Sequence, residues 1–349
     1  MTAIAPEIRL LAAHLRPALG LASEEAPPLT LAQAEWAMRR HRVGPLLHHA
    51  LAGRADGDAA VGALLRGSYE RNVRRQLRHR AATQRFTGWL AERGHNALVV
   101  KGWELGAALY GDAGLRYSKD IDLLIGAAAM QDALGIAAAN GFLVSGKPAH
   151  QGMRKARLLI GRFKEIGVGD PDYGVQLELH SRLLVHPPPC WSDPEPGDNN
   201  WPSLSNPEYV LYLLIHGAWT YWDRLKWLAD GAMLAQRVER ELIPVVLANA
   251  RLLHCEEAIV AGLRMVGDLW GEALVADWLA HSNVPADDAL MQRHCAMIAE
   301  RLGYDARTPF PQRLLRATGI RRNPPVFGTH PPRLRSTIDN ALFWMASKL

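Results

Sequence analysis

The feature that most constrains this 349-residue chain is a change of periodicity at Gly94. Before it, from Ala59 to Arg93, apolar residues recur near every fourth place (Val61, Leu65, Tyr69, Val73, Leu77, Ala81). That spacing predicts one buried stripe on a long helix. After it come short apolar runs bounded by turn residues: 97–100, 121–125, 142–144, 156–166 and 175–179 read as strands, with a turn around Gly169-Asp170-Pro171-Asp172. Between them 103–110 and 127–140 read as helices, the second capped by Gly141. Residues 187–207, with three consecutive prolines and Gly197, suit neither a helix nor a central strand and read as a linker. Beyond them the pattern is helical again. The expected fold class is α+β, a small mixed β-sheet core flanked by N-terminal and C-terminal helical regions. The expected divisions are 1–94, 95–186, the linker 187–207, and 208–349.

A content of 48% hydrophobic and 21% charged residues excludes wholesale disorder. The net charge of +5 is compatible with an anionic partner and does not by itself specify one. Cys190, Cys255 and Cys295 are odd in number and far apart, against a disulfide framework or a cysteine zinc site. No apolar run is long enough to cross a membrane, and Glu7, Arg9, His14 and Arg16 among the first leucines suit an amphipathic helix better than a secretory signal. A reducing, cytoplasmic setting is expected, with no membrane partner.

The strongest chemical signal is Arg116-Tyr-Ser-Lys-Asp-Ile-Asp122. Side chains two apart on a strand share a side, so Asp120 and Asp122 bring two carboxylates together. Such a pair is costly unless a cation sits between the charges, and Mg²⁺ with its oxygen ligands is the natural one. A third acid strengthens the pattern: Gln176-Leu-Glu178-Leu-His180 alternates, so Glu178 faces the same way as Gln176 and His180. Should that strand lie beside the Asp120/Asp122 strand, three carboxylates form the nest that phosphoryl and nucleotidyl transfer requires. Lys101-Gly102 closes an apolar run and opens a helix, where a glycine lets phosphate approach the backbone and a lysine adds a point charge.

The order Lys-Gly, helix, loop, Arg-x-Ser-x-Asp-Ile-Asp and later apolar-Glu-apolar resembles the DNA polymerase β-like nucleotidyltransferase superfamily. More narrowly it is similar to poorly characterised bacterial nucleotidyltransferases, over roughly residues 60 to 240. The resemblance implies two Mg²⁺ ions held by Asp120, Asp122 and Glu178, and an NTP such as ATP as substrate. It implies phosphate-side roles for Lys101, Gly102 and Ser118, with Arg116, Lys119 and, in the later helices, Lys226 as further contacts. His216 and Asp230 are structural or nucleotide-side candidates on the same ground. Gly102-Trp103 departs from the Gly-Ser or Gly-Gly of many members, which removes a phosphate-binding hydroxyl that Ser118 or Lys101 would replace.

Other patterns lead elsewhere. Gly141 to Lys147 has P-loop spacing, but Pro148 stands where Ser or Thr must bind Mg²⁺. His48, His49, His180, His186 and His216 have no compact metal-ligand spacing, and Trp219, Trp222 and Trp227 read as core. Arg71, Arg74, Arg75 and Arg78 share one helix face, either solvated or facing RNA backbone phosphates. Three functions follow: NMP transfer from an NTP to an acceptor hydroxyl or phosphate with release of pyrophosphate; a toxin-like relative acting on tRNA or other RNA; or a catalytically idle nucleotide- or partner-binding module.

Overall fold

A computed structural model describes residues 4–53, 58–144, 164–184 and 189–304. The P-loop-like 146–148, His186 and the Arg- and Pro-rich stretch 313–335 lie outside them, as do 156–163 of one expected strand. The chain divides into two compact units, Ala13–Tyr209, and Met1–Ala12 with Val210–Leu349. Its architecture is α+β, with a five-stranded mixed sheet in the first unit.

In that unit β1 (Leu98–Lys101), β2 (Asp120–Leu124), β3 (Leu143–Val144), β4 (Glu165–Asp170) and β5 (Val175–His180) are arranged in the order β1-β2-β5-β4-β3. Only β2 and β5 run parallel; the other neighbours are antiparallel. One sheet face is apolar. Ile121, Leu123, Ile166, Val168, Leu177 and Leu179 pack there against Phe86 and Leu90 of α1 (Ala59–Ala91) and Met130, Ala133 and Leu134 of α2 (Gly126–Ala139). Each such side chain taken out of water contributes roughly 2 kcal/mol, which fixes which face is core. Alternation then sends Asp120, Asp122, Gln176, Glu178 and His180 to the other face.

Glu165–Asp170 extends four residues past the expected strand end and takes in Gly169 and Asp170, which had read as a turn. The cause is Arg85 of α1, whose guanidinium holds both Asp170 and Asp172, so the reversal falls after Asp170. At Gly167 in mid-strand the end of the exposed Gln176 side chain lies over the backbone, 2.7 Å from where a Cβ would be.

The long helix begins as expected, capped by the Asp58 carboxylate, which accepts from the Ala60 amide, and Val61 and Leu65 are buried. The stripe then departs from expectation. A strict four-residue spacing gains about 40° per step on a helix of 3.6 residues per turn, so by Leu77 it has moved to the far side. Leu77 is 62% exposed. The buried positions are instead Asn72, Gln76, His79 and Thr83, then Phe86 and Leu90.

Those polar side chains hold the segment leading into β2. Asn72 Nδ2 donates to the carbonyls of Gly114 (2.7 Å) and Arg116 (3.1 Å), Gln76 Nε2 donates to Arg116 O (3.3 Å), and His79 is hydrogen-bonded to the Lys119 backbone. Tyr69 adds a bond to Asp112 (2.7 Å), which also accepts from the Gly114 amide. A Cβ on Gly114 would lie 2.7 Å from Val73, so only glycine lets the segment come this close to the helix.

In the second unit Trp222 is core, wedged against Gly217, Gly231 and Gly262, where a Cβ would lie 2.5, 3.2 and 2.2 Å from its ring. Trp227 is half-buried, and Trp219 is 38% exposed, contrary to its core reading. Helical spacing does not say which turn of an amphipathic helix faces outward at its end.

Burial first, then Arg75 and Arg78, push His79 down to about 4 from its ordinary 6.5. The folded protein therefore binds fewer protons than the unfolded chain between pH 4 and 6.5, and this histidine takes stability away as pH falls through that window. The slope approaches about 1.4 kcal/mol per pH unit. The Tm of His79→Gln should fall less steeply than that of the wild type from pH 6.5 to 4.5; parallel curves would refute the assignment.

Candidate active site

The polar face of β2, β5 and β1 carries the candidate site. Parallel pairing sets Asp120 opposite Gln176, Asp122 opposite Glu178 and Leu124 opposite His180. On the other side of β2, Lys101 is the partner of Asp122. Two residues far apart along the chain, Asp122 and Glu178, thus meet across one strand spacing.

Asp122 is the centre. It is buried, and its Oδ1 receives Lys101 Nζ at 2.6 Å and His180 Nε2 at 2.9 Å. Burial opposes its ionisation, but the charges and hydrogen bonds of Lys101 and His180 outweigh it and hold the carboxyl well below the usual range. Around the same imidazole nitrogen lie Glu165 Oε2 at 3.7 Å and Glu178 Oε2 at 4.0 Å. Lys164 neutralises Glu165 from the outside. Among the described residues Glu178 makes no ion pair with a lysine or arginine, and Lys101 offsets its surroundings only in part. Burial, then the charges of Asp122, Glu165 and Asp120, push it up to about 9. Burial and Lys164 lower the His180 pKa, against the opposing pull of Asp122 and Glu165.

Donor atoms of Asp122, Glu178 and His180 all lie within 4.8 Å of one another. Two carboxylates and an imidazole are donors suited to a divalent cation, which would also offset the repulsion between Asp122 and Glu178. The residues present fit the group. His180 had been set aside with the other histidines for want of ligand spacing in sequence; the alternation Gln176, Glu178, His180 already placed it on this face. Glu165 had no signal of its own, because its strand partner His180 is fifteen residues away across a hairpin.

The remaining expected site residues take varied places. Gly102 precedes the helix α3 (Trp103–Tyr110) at its cap position. Ser118 is buried, and its hydroxyl donates to the Asp120 carbonyl at 2.7 Å. Arg116 is buried under α1, whereas Lys119 is exposed. Lys226 belongs to the other unit, buried with Nζ 3.6 Å from the centre of the Trp227 ring, which His216 meets edge-on at 4.9 Å. Of the arginines, Arg71, Arg74 and Arg78 are exposed, Arg74 reaches Glu70 at 3.9 Å, and Arg75 lies over the Tyr117 ring at 4.7 Å.

Compared with known proteins, residues 32–271 match the model of a family described as uncharacterised nucleotidyltransferase. This chain belongs to that family. No curated protein and no solved structure matched it. The matched stretch of the nucleotidyltransferase spans the whole sheet and every residue of the acidic cluster. No helix among the described residues is long and apolar enough to cross a membrane.

Because Glu178 titrates near 9 when folded and near 4.5 ordinarily, the folded metal-free protein retains a proton that the unfolded chain has lost between those values. Its contribution to stability falls as pH rises through the window. Glu178→Gln should therefore gain Tm over the wild type at pH 8 and little at pH 5, measured in EDTA. A gap that does not widen with pH would contradict the assignment.

Proposed function

We propose that this transferase moves an NMP from an NTP to an acceptor hydroxyl or phosphate and releases pyrophosphate. The observation that carries the reading is Asp122 opposite Glu178 on paired parallel strands, within a chain of a nucleotidyltransferase family. An acceptor oxygen forms a bond to the α-phosphorus, the bond from that phosphorus to the β-phosphate oxygen breaks, and the acceptor proton passes to a carboxylate. Asp120, Asp122 and Glu178 are the groups that would hold Mg²⁺, two ions by family resemblance. When bound, these cations supply neutralisation of the triphosphate and of the leaving pyrophosphate. Glu178 completes the metal site and helps to activate the acceptor by taking its proton. Lys101, Gly102 and Ser118 orient phosphates, and Arg116 and Lys119 flank them.

The test is transfer of label from each α-labelled NTP, with Mg²⁺, into candidate acceptors, read together with pyrophosphate release. Asp122→Asn should lower transfer by more than about 100-fold while the protein stays folded by circular dichroism. Transfer that survives the substitution would contradict the role given to Asp122, and a wild type that transfers label from none of the NTPs would leave the idle-module reading in its place.

A second reading, of the acceptor as RNA, is favoured by one observation. Arg71, Arg75 and Arg78 make no ion pair among the described residues, so α1 keeps like charges together at i, i+4 and i+7 on the helix whose other face holds the segment leading to Asp120. Such spacing costs a helix a few tenths of a kcal/mol per pair unless an anion lies across it. Affinity for a labelled RNA should fall steeply with salt, and the triple change of Arg71, Arg74 and Arg78 to Gln should reduce the slope by about 2. Unchanged salt dependence would remove RNA from this face.

A further inference from the structure

β1 pairs with β2 out of simple register. Leu98 lies opposite Leu124 and Val99 opposite Leu123, so the next residue, Val100, would come opposite Asp122. A bulge between Val99 and Lys101 inserts one residue, and Lys101 takes that place instead. Because strand side chains alternate, an unbulged strand would turn Lys101 away from the acidic face, and a bulge is a means of re-aiming one side chain. What the bulge achieves is specific: the ammonium of Lys101, a buried residue, lands 2.6 Å from Asp122 Oδ1. Asp122 is the residue that, with Glu178 and His180, could hold a cation.

From this geometry we infer that Lys101 is an internal placeholder for the cation, which leaves Asp122 only when a polyphosphate arrives to receive its charge. This rests on the nucleotidyl-transfer reading and adds a condition on loading. A divalent cation entering alone meets a fixed positive charge on its best ligand. Moving that buried ammonium off Asp122 without a new anion gives up its 2.6 Å contact with the carboxylate, which is disfavoured. A triphosphate removes the obstacle by offering Lys101 other oxygens while it brings the cation further ligands. Metal and polyphosphate therefore bind with positive coupling, and the thermodynamic linkage is reciprocal. Lys101 acts in this as a positioning residue through Asp122, and as a phosphate contact only after the exchange.

The experiment measures Mn²⁺ binding to the full chain, without nucleotide, from the electron paramagnetic resonance of free Mn²⁺. Lys101→Met, which keeps the length of the side chain and removes the charge, should bind Mn²⁺ at least about tenfold more tightly than the wild type. Lys101→Arg should stay near the wild type, and adding Asp122→Asn to Lys101→Met should abolish the gain. In EDTA, tripolyphosphate alone should bind Lys101→Met more weakly than wild type. If Lys101→Met fails to fold by circular dichroism, Lys101→Gln takes its place in the same comparison. Mn²⁺ affinity that is unchanged or lower on removing the charge, in a folded variant, overturns the inference. Because no nucleotide is present, that result stands whether or not NMP transfer is found.

Discussion

The parallel register between β2 and β5 is the constraint on which the rest of the site depends. It sets Asp122 against Glu178 and, two residues on, brings His180 to the same carboxylate. A slip of β5 by one residue would turn Glu178 and His180 into the apolar face and send Leu177 and Leu179 outward. The register is therefore held by the core: Ile121, Leu123, Leu177 and Leu179 are all fully buried against α1 and α2. Hydrophobic packing on one side of the sheet fixes charge geometry on the other. The acidic cluster is costly by itself, and its cost is met by a core that would form without it.

The helix α1 links this sheet to the segment before β2. Its last turns supply Phe86 and Leu90 to the core, and its middle turns supply Asn72, Gln76 and His79 to backbone groups of residues 114, 116 and 119. Buried amides on a helix are unfavourable unless they are bonded, and here they satisfy carbonyls that a loop pressed on a helix would otherwise leave unpaired. The loop is thereby as well placed as a strand. It delivers Ser118 to the Asp120 carbonyl and starts β2 at a defined height relative to its neighbours.

Much of this was legible in the residues. The alternation in 120–124 and 175–180 identified the acidic face, and the shift of period at Gly94 separated helix from sheet. The resemblance then linked the two acidic strands before any pairing was known. What escaped had physical causes. The stripe on α1 was misread after Leu65 because recurrence every four residues is not the helical period, and because buried polar side chains look like surface ones until their partners are seen. His180 was passed over because ligands across adjacent strands need no spacing in sequence. Glu165 and the bulge at Lys101 are invisible for the same reason, since both exist only as relations between strands. Arg85, an ordinary surface arginine in the sequence, fixes the position of a turn through two aspartates that follow it by more than eighty residues.

The charges of the site balance unevenly. Asp122 accepts from two donors on one oxygen, Lys164 pairs with Glu165, and burial together with its acidic neighbours raises Glu178. Among the described residues the carboxylates of the cluster outnumber the lysines paired with them. Such an excess leaves room for a ligand of positive charge: complete internal pairing would close the site to cations, and no pairing would oppose folding through repulsion among buried acids. Lys101 sits at the point between these limits. Its ammonium offsets the charge of Asp122 in the ligand-free fold and, being on the end of a flexible stem, is able to move when phosphate oxygens come within reach.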